Sequence, residues 1–451
     1  MAENLAQVRV DAIRRLTRRK ASGPLGRALA KSSVEDVAQA VAHMTRGETL
    51  FLLEQVVDEQ WAGALLYALH ERDLLNVVEG VSLDRASAWF AELEPDDQAD
   101  VLARLPEEWR EKVLSSLEVE DREEVEELMA WPPDSAGGIM SPVAFRLPEQ
   151  TSCREAIEAL QEQGDVEMVF YLYVESETGQ LVGVVSLRNL LINPPSAKLN
   201  EIMATDVVSV NAETDQEEVA RIASHYDLLA VPVVDETHNL VGIVTIDDVI
   251  DVIREEAVED LMKMAGVAEG YDPLANSAFE DLGARVRWLL VTLCAGLVLV
   301  EIISGFETTL EENLILAGFI PIIMGLSGNV GIQAATITIQ AMASGRLALG
   351  GGIRDRVLRE GRVGILLGLF FGAILLGWCV VRGQSMALGM AIGVSIALAL
   401  VTAVIVGTTT PIFLKKLNVD PAVAAGPFVT TAIDLVGILV YFSVVSAWPG
   451  L

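Results

Sequence analysis

The sequence predicts a multidomain membrane protein. It comprises an all-α N-terminal superhelical domain, a duplicated α/β unit, a linking helix and a five-helix transmembrane domain. Three observations carry this prediction. Acid is confined to one block of the chain, an α/β segment recurs at an offset of 59 residues, and five long apolar stretches follow residue 285. At 451 residues the chain is also too long for one ordinary domain.

The net charge of −32 is unevenly spread. Residues 1–33 hold eight Lys/Arg against two Asp/Glu, residues 34–282 hold 14 against 54, and residues 283–451 hold ten against eight. A soluble block with a net charge of −40 repels nucleic acid and attracts cations, so no nucleic-acid partner is expected. Cys153, Cys294 and Cys379 lie far apart without a CxxC pair, which points away from a disulfide framework or zinc site. The N-terminus lacks an apolar core of the kind a secretory signal needs. Residues 1–33, with the run Arg14 to Lys20, read as a basic N-terminal arm that is solvated rather than lipid-bound.

Residues 34–131 show Leu and Val at three- and four-residue spacing, broken by short polar turns, as in RASAWFAELEPDDQADVLARL. That periodicity predicts short helices in a compact bundle or superhelix, the acidic helical domain. Trp131-Pro132-Pro133 closes it, because consecutive prolines cannot continue a helix.

The repeat occupies residues 136–198 and 199–258. YLYVESETGQLVGVVSLRNLL in the first copy matches AVPVVDETHNLVGIVTIDDVI in the second, with Gly183 aligned to Gly242. Each copy reads as strand, turn, strand and helix start, preceded by a Met-led turn. Two such units, neither able to bury its own face, are expected to pack together. The pattern resembles a tandem CBS-domain pair. Residues 251–282 read as a linking helix that ends near Gly266, with a loop before the membrane.

In the transmembrane domain, residues 283–451, the apolar stretches are roughly 286–305, 314–342, 363–381, 386–413 and 423–447, each long enough to cross about 30 Å of hydrocarbon. Arg285 and Arg287 precede the first. Arg346, Arg354, Arg356, Arg359 and Arg362 separate the second and third, and Lys415 and Lys416 separate the fourth and fifth. The other two loops carry Arg382 and the acids Glu307, Glu311 and Glu312. By the positive-inside rule the N-terminus is cytoplasmic and the C-terminus outside.

Asp434 falls near the middle of the last stretch, where a carboxylate is costly unless it meets water, an ion or a partner. Gly426, Thr430, Asp434 and Gly437 share one helix face. On the second stretch Gly325, Asn329, Gln333, Thr336 and Gln340 form a second small and polar stripe. Such a stripe also suits helix packing, but two of them favour a pore. The oxygen-rich set suits hydrated Mg2+, which keeps its water and prefers octahedral oxygen ligands. Soft-metal ligands are scarce: Cys294 and Cys379 are the Cys of the spans, which hold no His.

The chain also resembles the MgtE family of magnesium channels over nearly its whole length. The carrying residues are the acidic helical domain, the tandem repeat, ARVRWL at 284–289, Pro321 with Gly325 to Gln333, Asp420-Pro421-Ala422, and Pro427 with Asp434. The resemblance implies a homodimer in the lipid bilayer of a prokaryotic plasma (inner) membrane, with a pore on its twofold axis. Asp434 would be the main pore carboxylate, Gly328, Asn329 and the backbone near Thr430 would line the ion site, and the linking helix would act as a plug. Glu301, Val330 and Ile332 depart from the family pattern and bear on pore width and ion preference.

It further implies that cytosolic Mg2+ bridges acids and closes the gate. The candidates are Asp96, Asp97 and Asp100 of the helical domain, with Asp215, Glu217, Asp227, Asp248, Asp251, Glu256, Glu259 and Asp260. CBS pairs often bind adenine nucleotides. Thr245 and Asp248 stand where an ATP ribose would be held in the second copy, and Ser186 and Asn189 replace them in the first. The alternatives are a transporter of Co2+ or Mn2+ and a non-conducting membrane-anchored sensor of Mg2+ or nucleotide. No HExxH, GxSxG or Walker A pattern supports an enzyme.

Overall fold

The computed structural model describes residues 2–53, 59–162, 170–267, 278–343, 352–417 and 419–449. Arg346 and part of the loop before the membrane lie outside them. The chain forms two compact units, residues 1–254 and 255–451.

In the first unit, among the described residues, ten helices run from Ala2–Arg18 to Val119–Leu128. Most span eight to ten residues, too short to persist alone, so tertiary packing holds them. Most pack on the next but one: Val34–Val41 on Glu59–Ala68, that on Leu83–Phe90, and that on Glu107–Leu114. This is the contact pattern of a superhelix. Leu52, Leu65, Leu74, Phe90, Leu102 and Val113 fill its core.

The basic arm is corrected by the structure. Residues 2–18 and 22–29 are helices, and Val10, Ile13, Leu25 and Leu29 are buried in the same core as the acidic helices. Arg9 pairs with Asp36 at 3.4 Å and Arg18 with Glu48 at 3.2 Å. Short-range apolar periodicity was masked by the density of arginine on the opposite face.

The repeat forms two three-stranded sheets, β1 (Arg146–Pro148), β2 (Tyr171–Glu175) and β3 (Leu181–Ser186), then β4 (Val210–Asn211), β5 (Ala230–Val234) and β6 (Leu240–Thr245). In each, the first strand lies parallel and the third antiparallel to the middle one. Val174 pairs with Gly183 and Val233 with Gly242, and both sheets carry the same register shift one residue on. The Met-led turns are exchanged: Met203 lies against Gly183, and Met140 against Gly242. A methyl group at either glycine would overlap the facing thioether. Each copy thereby covers the other.

The linking helix is Ile246–Ala265, beginning earlier than residue 251 and ending beside Gly266, where the sequence placed its end. Its first turns bury Val249 and Val252 in the first unit. Residues 278–282 belong instead to the first membrane helix, Ala278–Ser304.

Five helices among the described residues are long and apolar enough to cross a membrane. After Ala278–Ser304 come Ile320–Ala343, entered through the tight turn Leu314–Phe319, then Gly352–Val381, Met386–Lys416 and Pro427–Ser446. The third extends well before residue 363, because Arg354, Arg356, Arg359 and Arg362 continue it into the polar region. With no hydrophobic drive between helices in lipid, close packing joins them. Gly364, Gly368 and Gly372 of the third helix lie against Val401, Ala397 and Gly393 of the fourth. Gly407 of the fourth meets the backbone of Gly331 of the second, so no side chain fits at Gly407, and a Cβ at Gly331 would press on Ile433 of the fifth. Gly407→Val is expected to destabilise the membrane unit by about 2 kcal/mol or more. A lower thermal transition and aggregation of the detergent-purified chain would register it.

Candidate functional site

The membrane candidate is built where the second and fifth helices cross. Gly426 caps the fifth helix and Pro427 occupies its first position, where a missing N–H costs nothing. Thr430 Oγ1 donates to Gly426 O at 3.3 Å. One turn on, Asp434 Oδ1 is buried without a hydrogen-bond partner. The facing residue is Gly328, whose Cβ position would lie 3.7 Å from Asp434 Oδ1 and 3.7 Å from Thr430 Cγ2. Any larger residue at 328 would fill the space beside the carboxylate. Gly437 completes the face by packing on Ser327.

Asn329 sits on a different side of its helix from Gly328. With Gly325, Gln333 and Gln340 it is exposed on the single chain, and Thr336 is half-buried. The polar stripe therefore points away from the chain's own core, while Asp434 and Thr430 sit at its edge.

The second candidate is a cavity of about 620 Å³ inside the first unit, lined by Asp96, Asp97, Asp247, Asp248, Glu94 and Tyr67 among others. Two helix starts supply the aspartates: Pro95-Asp96-Asp97 opens Pro95–Ala103, and Ile246-Asp247-Asp248 opens the linking helix. First-turn acids suit the positive end of a helix dipole, and here two such ends point acid at one space. Asp96 Oδ1 is buried without a hydrogen-bond partner.

Burial, reinforced by Asp97, Asp248 and Glu94, pushes the Asp96 carboxyl up to about 8. Burial, then Asp248 and Asp100, pushes Asp97 to about 7. Asp248 rises to about 6 through burial, partly offset by Thr245, whose Oγ1 donates to Asp248 Oδ2 at 2.7 Å. Burial and the same acids push the Tyr67 phenol upward, so Tyr67 is a neutral wall.

These shifts are a stability statement. A carboxylate whose folded pKa is raised binds more protons folded than unfolded, so its contribution falls as pH rises through the interval. The metal-free first unit is expected to lose on the order of a few kcal/mol of stability between about pH 4 and about pH 8, from the shifts of Asp96, Asp97 and Asp248. Denaturant unfolding across that range measures it, and a flat profile would contradict it.

Among the described residues no group of three or more His, Cys, Asp or Glu converges to metal-ligand spacing. What the cavity offers is a cluster of carboxyl groups, an orphaned buried oxygen and room for a cation that keeps part of its water shell. That donor set fits Mg2+ and not a soft metal.

The other sensing candidates are dispersed. Asp100 and Asp251 lie close enough to raise Tyr67. Asp215 caps the helix Gln216–Tyr226 by accepting from Glu217 N at 2.9 Å, and Asp227 ends that helix in a left-handed conformation. Asp215, Glu217 and Asp227 are exposed and do not line the cavity. Glu256, Glu259 and Asp260 lie on the later turns of the linking helix. Glu259 and Asp420 both hold Lys263, each at 2.6 Å. Asp260 is raised by burial and then by Asp420. In the first repeat Ser186 serves as a helix cap, accepting from Asn189 N at 3.2 Å. Glu35, Glu92, Glu94, Asp247 and Lys263 were not singled out from the sequence. The doubled aspartates after Pro95 and Ile246 were the available signal for the cavity.

Comparison with known proteins gives matches to the helical domain, both copies of the repeat and the last four membrane helices. Residues 320–444 match the MgtE family of divalent cation transporters, 32–134 the MgtE intracellular N domain, and 136–194 and 199–255 the CBS domain. The magnesium transporter MgtE of Thermus thermophilus is 38% identical over 362 residues, covering 77% of this chain and 78% of that protein. Its Bacillus subtilis counterpart is 35% identical over 376 residues, 83% of each. Two solved structures are similar to the soluble part at a TM-score of 0.51. One is the soluble part of a magnesium transporter (27% identity, 56% of this chain and 99% of that one). The other is the cytosolic domain of the Mg2+ channel MgtE in complex with ATP (32% identity, 54% and 99%). With five membrane-length helices among the described residues, a tandem CBS pair and an acidic helical domain in one integral membrane protein, the chain belongs to the MgtE family of magnesium transporters.

Proposed function

We propose that the protein is a homodimeric Mg2+ channel of a prokaryotic plasma membrane, closed by cytosolic Mg2+. The observation that carries the pore is the buried, unpartnered Asp434 Oδ1 beside Gly328. A carboxylate in a span is sustained by water, an ion or a partner. One Asp434 from each of two subunits balances one divalent cation. Gly328 leaves room for the hydration shell, and Thr430 and Asn329 offer hydrogen-bonding groups to its waters. Mg2+ passes with water retained, because stripping it is costly. The exposed Gly325–Gln340 stripe is then the surface that the second subunit and the water column cover.

The soluble part faces the cytoplasm in this reading, which the positive-inside bias of Arg285, Arg287, Arg354, Arg359, Arg362, Lys415 and Lys416 supports. Mg2+ entering the acidic cavity cancels repulsion among Asp96, Asp97 and Asp248 and favours the compact state. As cytosolic Mg2+ falls, the acids repel and the gate loosens. This is population shift through differential affinity. Thr245 and Asp248 of the second repeat also remain the candidates for an ATP ribose, by likeness to the relative whose cytosolic domain was solved with ATP. Triphosphate brought into this acid requires accompanying Mg2+. Ion competition during flux tests selectivity: Mg2+ uptake that yields to equimolar Co2+ or Mn2+ would favour the broader transporter, and absence of any flux would leave a sensor.

A further inference from the structure

The last turns of the linking helix lie on the membrane unit. Met264 packs against Ala335 and Ile339 of the second membrane helix. Gly266 ends the helix at φ +70°, and its Cβ position would lie 2.6 Å from the Pro427 ring, so both conformation and space require glycine. Between them, Lys263 Nζ sits 2.6 Å from Glu259 Oε1 and 2.6 Å from Asp420 Oδ2, its side chain 13% exposed.

Asp420 is not an isolated surface acid. Its other oxygen accepts from Ala422 N at 2.7 Å, capping the turn Pro421–Ala425. That turn delivers Gly426, the cap of the last helix, and Gly426 in turn approaches Lys263 O, 3.0 Å from its Cβ position. From Gly426 the next two turns carry Thr430 and Asp434. A continuous set of short contacts therefore runs from Lys263 to the start of the helix that bears the membrane carboxylate.

We propose that Lys263 is a fixed counter-cation that latches the linking helix to the cytoplasmic end of the pore helix, and so sets how much Mg2+ closure requires. This rests on the gated-channel reading above. Glu259, Asp260 and Asp420 are three acids at one junction, and Lys263 neutralises part of their charge from within the chain. The closed arrangement thus has a component that needs no bound metal. Removing the ammonium leaves partly buried carboxylates facing one another, a more costly change than the loss of one surface ion pair. Lys263 is a positioning residue: it touches neither the ion path nor Asp434.

The test uses the full chain in lipid vesicles. Lys263→Met keeps the apolar stem and removes the charge. The Mg2+ concentration for half-closure is expected to rise roughly tenfold, the shift that loss of about 1.4 kcal/mol from the closed state produces. In metal-free buffer, hydrogen exchange at the Gly266 and Val267 amides, which donate to Lys263 O and Met262 O, is expected to quicken about tenfold. The charge-swapped pair K263E with D420K is expected to restore slow exchange, which a merely steric role would not do. Unchanged exchange in K263M, or no rescue by the swap, overturns the latch. So does a half-closure concentration that stays put or falls, since a fall means that Lys263 competes with metal. Should wild-type flux ignore internal Mg2+, the gating reading fails on its own, and the exchange data alone decide whether the latch exists.

Discussion

Asp434→Ala and Asp434→Asn are both expected to abolish Mg2+ flux through the reconstituted chain, by about two orders of magnitude. A unit charge pair about 4 Å apart interacts by about 4 kcal/mol at an effective dielectric near 20, and the ion here is divalent. Loss of about 2.7 kcal/mol at the site already amounts to roughly a hundredfold. The asparagine variant is the sharper arm. It preserves shape and a hydrogen-bonding amide but not charge, so it would substitute for a protonated aspartic acid bonded between helices. The buried Asp434 Oδ1 has no hydrogen-bond partner, which favours the charged role. Flux measured beside expression and detergent-phase monodispersity separates loss of conduction from loss of fold. Full flux in Asp434→Asn would contradict it.

The double substitution Asp97→Asn with Asp248→Asn is expected to leave the channel open at millimolar internal Mg2+. Both carboxyls line the acidic cavity, and Asp248 adds to the upward push on Asp97. Their neutralisation removes the repulsion that the ion relieves, and with it the ion's preference for the compact state. Two readouts follow. Wild-type chain should gain several degrees of thermal stability on Mg2+ addition, since saturation at a hundred times Kd stabilises by about 2.7 kcal/mol, and the double variant should gain almost none. The variant's metal-free stability should also be higher above about pH 7, because the raised carboxyls of Asp97 and Asp248 no longer lose their protons there. A wild-type Mg2+ shift retained in full by the variant would place sensing elsewhere.

Much of the architecture is legible in the sequence for physical reasons. Apolar runs of membrane length have few alternatives, and a repeat at constant offset forces equal register, as Val174–Gly183 and Val233–Gly242 show. Asp434 stands out because a carboxylate among Val, Ile and Leu is expensive. The basic N-terminal helix was not legible, since Arg14 to Lys20 conceals the face that buries Val10 and Ile13. Nor was the cavity in full. Asp96 and Asp248 are 152 positions apart by residue number, and their meeting depends on how the helical domain folds against the repeat. Lys263 and Asp420 are separated by 157 residues, and neither has a local pattern that announces the other. Gly364, Gly368 and Gly372 recur at a spacing of four, but nothing in that stretch alone says that Val401, Ala397 and Gly393 of the fourth helix face them.

The most direct measurement is Mg2+ entry into vesicles holding the purified chain and an internal Mg2+ indicator, with starting internal Mg2+ varied. The expected result is rapid entry at micromolar internal Mg2+ and arrest at millimolar. No entry at any internal concentration, from chain shown to be folded and inserted, would contradict a hydrated-metal path past Asp434.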